Sequence, residues 1–173
     1  MILFTGNQNK IEEFRLVLGN EFPFKAVKGE KPELRAEHPS EIVTPAAKAL
    51  AERLKEAVIV EDSGIFIKAL NGFPGTCSHY VFDKIGLKGL LKLLEGKKNR
   101  SVKYISAVGY CEPGKRPLCF IGEEDGKIAT APRGKNGFAH DPIFIHSGKN
   151  KTYGESREKV VIHLFRRRAI EKL

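Results

Sequence analysis

Met1-Ile2-Leu3-Phe4 is an unbroken apolar run, and it stops abruptly at the polar turn Gly6-Asn7-Gln8-Asn9. A run this short ahead of such a turn predicts a buried strand over residues 1–5 that feeds a helix. The helix carries Ile11, Phe14 and Leu18 at helical spacing, with Leu16 as a further candidate. Phe22 to Val27 reads as a second strand, and the polar, proline-bearing segment 28–41 as a loop. Thr44-Pro45 has the form of an N-cap with proline at the first helical position, ahead of Ala47, Leu50, Ala51 and Leu54. Ala57 to Val60 is another short buried strand, ending at the turn Glu61-Asp62-Ser63-Gly64, and Ile65-Phe66-Ile67 resumes the extended pattern.

Beyond it, Asn71-Gly72-Phe73-Pro74-Gly75 is a turn or loop, and residues 86–95 read as a helix. Val102–Cys111, Leu118–Gly122 and Lys127–Thr130 are expected to be antiparallel strands, with Asp125-Gly126 as a tight hairpin turn. A glycine-rich loop over 131–141 leads to the apolar run Ile143-Phe144-Ile145. From about Arg157 a final helix is expected, with Val161, Leu164, Phe165, Ala169 and Leu173 on one face. Helices and strands interleave without a regular βαβ repeat, which predicts an α/β fold on a mixed sheet. No linker separates independent domains.

Composition narrows this reading in three ways. At 173 residues and 41% hydrophobic, the chain supports one core, or one domain drawn into two lobes. No run approaches the roughly 18 apolar residues of a membrane span. The apolar start is too short for a signal-peptide core, so a cytoplasmic protein is expected. Cys77, Cys111 and Cys119 form no C-x-x-C pair, which fits a reducing compartment and speaks against zinc. Cys111 and Cys119 flank the turn Glu112-Pro113-Gly114-Lys115-Arg116 symmetrically and could face each other across a hairpin; the reading taken is the alternative, two small apolar strand residues. The net charge of +9 points to an anionic partner, either nucleic acid or a small polyphosphate.

Three constellations carry candidate chemistry. Thr5-Gly6-Asn7-Gln8-Asn9-Lys10 lies where a strand gives way to a helix, and unpaired N–H groups at a helix start suit phosphate. Lys10 adds a full charge there, although the loop is not a Walker A sequence and helix capping alone would also explain it. Glu61-Asp62-Ser63-Gly64 places two carboxylates at a strand end, which is costly unless a cation or a basic partner neutralises them. Magnesium on a polyphosphate uses one or two carboxylates together with phosphate oxygens and waters. In Arg133-Gly134-Lys135-Asn136-Gly137-Phe138-Ala139-His140-Asp141-Pro142, Phe138 could stack on a base and Asp141 could accept from a ring N–H. His38, His79 and His146 have no consistent spacing with a carboxylate pair and read as surface or structural residues.

Taken in order, Thr-Gly-Asn-x-x-Lys, Val-Glu-Asp-Ser-Gly, Ala-Leu-Asn-Gly-Phe-Pro-Gly-x-x-Ser and Gly-Phe-x-x-Asp-Pro-Ile-Phe resemble the inosine/xanthosine triphosphate pyrophosphatases over nearly the whole chain. The resemblance implies a single α/β domain over 1–173, with a long curved mixed sheet flanked by helices in two lobes and a central cleft. It also implies a homodimer, a magnesium cofactor, and hydrolysis of ITP, dITP or XTP to the monophosphate and pyrophosphate. Carried over by position, Asn7, Lys10 and Lys48 would hold phosphate oxygens, and Thr5, Ser63, Gly64 and Ser78 would shape the pocket. Asp62 would position or deprotonate water, while Glu33 and Glu61 would bind or support magnesium, with Glu30, Glu37 and Glu41 as rivals to Glu33. Lys159 would lie near the nucleotide, and Phe138, His140, Asp141 and Arg166 would read the base. Two departures stand out: Ala139-His140 replaces the family's glycine and aromatic residue, and Leu164-Phe165-Arg166 replaces its Ser-His-Arg. The resemblance allows a relaxed or different nucleotide preference. A nucleic-acid module would leave the carboxylates beside the phosphate-type turn unexplained, and no membrane partner is expected.

Overall fold

The computed structural model describes residues 1–29, 34–156 and 162–173. Seven strands form one mixed sheet: β1 (Ile2–Phe4), β2 (Lys25–Val27), β3 (Val58–Ile67), β4 (Pro74–Gly75), β5 (Ser101–Cys111), β6 (Leu118–Ile128) and β7 (Phe144–His146). Their order is β2-β1-β3-β5-β6-β7, with β4 paired to β3. β1 runs parallel to both β2 and β3, whereas β3–β4 and β6–β7 are antiparallel. The helices are α1 (Gln8–Leu18), α2 (Pro39–Leu54), α3 (Ser78–Leu93) and α4 (Leu164–Ile170). None of the described helices is long and apolar enough to cross a membrane.

The chain divides into two compact units, one of residues 1–63, 106–123 and 162–173, the other of residues 64–105 and 124–161. In the first unit, strand alternation assigns each face of the sheet its own core. Val58 and Val60 of β3 pack with Val43, Ala47, Leu50 and Ala51 of α2. Ile59 points the other way, onto Ile11 and Phe14 of α1 and Ala169 and Ile170 of α4. Fully burying side chains of this size contributes roughly 1.5–3 kcal/mol each.

Several sequence expectations are corrected. The stretch Glu61 to Gly64 is no turn: β3 runs unbroken through it. A Cβ on Gly64 would sit 2.3 Å from the Gly75 carbonyl oxygen, so glycine serves the close approach of β4. Asp125-Gly126 likewise lies inside β6, because β7 pairs there, Gly126 opposite His146. The second helix starts at Pro39 behind the cap His38, whose ring accepts from Ser40 N, and Thr44-Pro45 lies in its interior. Leu16 is 56% exposed, since two residues past Phe14 is the far side of a helix. Residues 86–93 are the second half of α3, which starts at Ser78, kinks at Gly86 and ends at Leu93. β2 is confined to Lys25–Val27 and the last helix to Leu164–Ile170, while Val161 lies outside the described residues. Cys77, Cys111 and Cys119 are all free thiols.

Candidate active site

The phosphate-type turn forms as its residue types dictate. Asn7 is the N-cap of α1, and its Oδ1 accepts from Asn9 N at 3.0 Å and Lys10 N at 3.3 Å. Thr5 Oγ1 accepts from Asn7 N at 3.2 Å, which closes the turn. Capping thus places Lys10 in the first helical turn, facing β3, and its Nζ lies 2.5 Å from Glu61 Oε2.

Glu61 is 4% exposed, yet both its oxygens are engaged. Oε1 accepts from Ser106 Oγ at 2.7 Å and from Arg166 Nε at 3.1 Å, while Oε2 faces Lys10. Arg166 is 2% exposed, and it also donates to Glu13 and, at 3.2 Å, to Ser63 Oγ. Glu13 in turn accepts from His163, at 3.0 Å from the backbone N and 3.0 Å from Nδ1. The result is a chain of alternating charge, Lys10–Glu61–Arg166–Glu13, with His163 bonded to Glu13 at its end. Burial works against ionisation of Glu61, but Arg166 and Lys10 outweigh it and hold the carboxyl far below the usual carboxylate range. Glu13 is held down in the same way by Arg166 and His163. Burial would equally discourage the Arg166 charge, and the two carboxylates reverse that and raise its pKa.

Strand alternation separates the two adjacent carboxylates. Glu61 and Ser63 both reach Arg166, on the α1–α4 side, and Asp62 between them belongs to the opposite side, where α2 packs. Asp62 is half-buried, and Lys48 is an exposed residue of α2. Glu61-Asp62 is therefore not a bidentate acidic pair. Glu61 holds Lys10 and Arg166, and Asp62 lies on the other face of the strand. Glu33 and Lys159 lie outside the described residues.

The remaining sequence-predicted residues belong to the second unit. Ser78 is buried at the start of α3; its hydroxyl accepts from Ile65 N at 2.8 Å and donates to the Gly75 carbonyl. That tie fixes α3 beside Gly64 and β4. In the loop before β7, Asp141 Oδ2 accepts from Phe138 N at 2.7 Å, and the Phe138 carbonyl accepts from Asp141 N at 3.1 Å. Phe138 is half-buried, and Asp141 is 2% exposed. His140 is 3% exposed, edge-on to Phe82 with ring centroids 5.4 Å apart. Its Nε2 is buried with no hydrogen-bond partner among the described residues, and burial pushes its pKa down to about 4. His140 is therefore an uncharged imidazole near neutral pH.

Sequence reasoning missed Glu13 and Ser106. Glu13 had a readable signal: a carboxylate three residues past Lys10, between the core residues Ile11 and Phe14. His146, read as surface or structural, is bonded through Nδ1 to Glu124 at 2.7 Å.

Comparison with known proteins places this arrangement. The chain is 51% identical over 156 residues to a dITP/XTP pyrophosphatase of Methanopyrus kandleri, covering 89% of this chain and 83% of that protein. It is 44% identical over 176 residues to a dITP/XTP pyrophosphatase of Methanosarcina mazei, covering 99% and 93%. Among solved structures, the Ham1 protein of Staphylococcus aureus superposes with a TM-score of 0.82 at 26% identity, over 98% of this chain and 93% of that one. A HAM1 protein of Coxiella burnetii superposes with a TM-score of 0.83 at 26% identity, over 99% and 94%. Residues 1–173 match the sequence profile of the Ham1 family as a whole, and the chain belongs to that family.

Proposed function

We propose that this protein hydrolyses dITP, ITP and XTP to the monophosphate and pyrophosphate, removing non-standard purine nucleotides from the pool. The observation that carries the reading is the buried chain Lys10–Glu61–Arg166 beside the separately placed carboxylate Asp62, in a relative of two dITP/XTP pyrophosphatases. Such a site needs a cation held ready for phosphate and a carboxylate able to handle water. Glu61 keeps Lys10 aimed, and Ser106 and Arg166 fix Glu61. A preset cation lowers the barrier as negative charge develops on the phosphoryl oxygens and the leaving pyrophosphate, because it needs no reorganisation during the reaction. Asp62 orients the attacking water toward the α-phosphorus and accepts its proton.

The donor set fits magnesium as an ion shared with the substrate. Among the described residues, no three His, Cys, Asp or Glu side chains are grouped to cage a metal, and both Glu61 oxygens are engaged. Magnesium typically takes one or two carboxylates and completes its shell with phosphate oxygens and water. Asp62, with Glu33 as the second candidate, would hold it, and it would supply charge neutralisation on the triphosphate. Asn7, Lys48, Ser63 and Gly64 complete the phosphate side of the reading, while Phe138, His140 and Asp141 serve the base.

One observation favours a variant of this function. Arg166, a base-reading residue in the resemblance, is enclosed by Glu13 and Glu61, and Leu164-Phe165 stands where the family has Ser-His. The same phosphate chemistry with relaxed base selection follows from that enclosure. The reading extends to a homodimer in the cytoplasm: three free thiols suit a reducing compartment, and exposed Tyr80, Ile85 and Leu93 on α3 offer apolar surface to a second copy. Turnover of ITP in 18O-labelled water tests the chemistry. Label in the monophosphate is expected, whereas label in pyrophosphate, or release of single phosphates, would refute attack at the α-phosphorus.

A further inference from the structure

Lys28 directly follows β2, and the proposed chemistry does not use it. β1 runs parallel to both its neighbours, with Phe4 opposite Val27 and Leu3 opposite Ile59. The ladder continues one step past β2, since Thr5 N donates to the Val27 carbonyl at 3.0 Å. In that register Lys28, Thr5 and Glu61 form a row across the C-terminal ends of β2, β1 and β3. Alternation places all three on the face that α1 covers, because Leu3 and Ile59 pack there with Ile11 and Phe14. The next residue obeys the same rule. A Cβ on Gly29 would meet the Phe4 ring at 3.0 Å, and Phe4 belongs to the core on the α2 side.

The Lys28 stem lies across the phosphate-type turn. A Cβ on Gly6 would meet Lys28 Cγ and Cδ at 2.9 Å and Cε at 3.3 Å, and these are its three nearest atoms. Gly6 does not have a positive φ, so glycine here makes room for the lysine and answers no special backbone conformation. The ammonium group is one bond beyond Cε, and it has no hydrogen-bond or ion-pair partner among the described residues. The rest of the turn is already committed. Asn7 Oδ1 takes the N–H groups of Asn9 and Lys10, and Glu61 compensates Lys10 Nζ at 2.5 Å. Lys28 therefore brings an uncompensated positive charge to the turn, on the flank of Thr5 away from Glu61.

We propose that Lys28 is a phosphate-binding residue of the same site, holding the triphosphate from the flank of the turn opposite Lys10; this rests on the phosphate reading of that turn. An ammonium group offers three donors around a point charge, which suits the oxygens of a polyphosphate.

The test is titration calorimetry with inorganic tripolyphosphate and with ITP, in chelator at fixed ionic strength, joined to steady-state turnover of ITP with magnesium. Lys28→Met keeps an unbranched stem over Gly6 and should keep the wild-type melting transition. It should weaken both ligands roughly tenfold and raise KM for ITP by a similar factor, with kcat changed by less than about threefold. Lys28→Arg should restore most of the affinity, and Lys92→Met, which removes an exposed lysine of α3, should leave it unchanged. The proposal is overturned if Lys28→Met binds both ligands as the wild type does, if its effect falls on kcat alone, or if Lys92→Met weakens binding equally. No binding of tripolyphosphate by the wild type overturns it too. A wild type that binds tripolyphosphate but releases no pyrophosphate from ITP refutes the proposed function instead, and the tripolyphosphate affinities still decide the role of Lys28.

Discussion

His140 makes the fold sensitive to mild acid, and the size of the effect follows from its burial. Its pKa falls from 6.5 to about 4 because desolvation disfavours the charged ring. Near pH 7 the imidazole is neutral in both the folded and unfolded chain. As pH drops below 6.5 the unfolded chain binds a proton that the folded chain refuses, so stability falls with pH down to about 4. At about 1.4 kcal/mol per unit, this shift corresponds to roughly 3 kcal/mol lost across the window. His140→Phe removes the titration and keeps an aromatic ring against Phe82. It also removes the unpartnered Nε2, which leads us to expect equal or greater stability at pH 7. Urea unfolding of both proteins at pH 4.5, 5.5, 6.5 and 7.5 measures the difference, and subtraction cancels the other four histidines. The stability advantage of the variant should grow by about 2–3 kcal/mol between pH 7.5 and 4.5. A difference that stays flat, or a ring titration midpoint above 6 by NMR, would refute the reasoning.

Other consequences follow from the same structure. Glu13→Gln leaves Arg166 and His163 short of a buried carboxylate and should cost about 3–5 kcal/mol in urea unfolding at pH 7, where a loss below about 1 would contradict the ion-pair account. Because Glu13 is held below 4.5 when folded, its contribution is full above that pH and drains below it; the gap between wild type and variant should therefore narrow in acid. Lys10→Ala leaves Glu61 paired with Arg166 and should fold, while losing roughly 10²–10³-fold in kcat/KM; near-normal turnover would remove Lys10 from the chemistry. Gly64→Ala drives a methyl into the Gly75 carbonyl and should destabilise by about 1–3 kcal/mol or more, which a thermal melt would reveal.

Much of the layout was legible because period and punctuation agree. Short apolar runs located β1, the two ends of β3, and β5, and Gly6-Asn7 before Lys10 marked the start of α1. Where local signals misled, longer-range packing had overruled them. Asp125-Gly126 has the chemistry of a hairpin turn, yet β7, nearly twenty residues on, pairs there and keeps the strand extended. Glu61 to Gly64 has the composition of a turn, but β4 pairs onto the strand just beyond it. Pro45 sits inside α2, because Pro39 already occupies the first turn behind the His38 cap. The site was legible as residue types and not as partnerships. Asp62 and Lys10 could be nominated from their local settings, but the enclosure of Arg166 depends on Glu13, 153 residues away, and on Glu61, 105 away. No local pattern encodes a contact at that separation.

The central claim is a phosphate chemistry directed at non-standard purine triphosphates. The most direct test is pyrophosphate release from ITP, XTP, GTP and ATP, each with magnesium and with chelator. The account predicts magnesium-dependent turnover of ITP and XTP above GTP and ATP, by a margin that shrinks if the enclosed Arg166 has relaxed base selection. Release of no pyrophosphate from any of the four, or equal release with chelator, would contradict it.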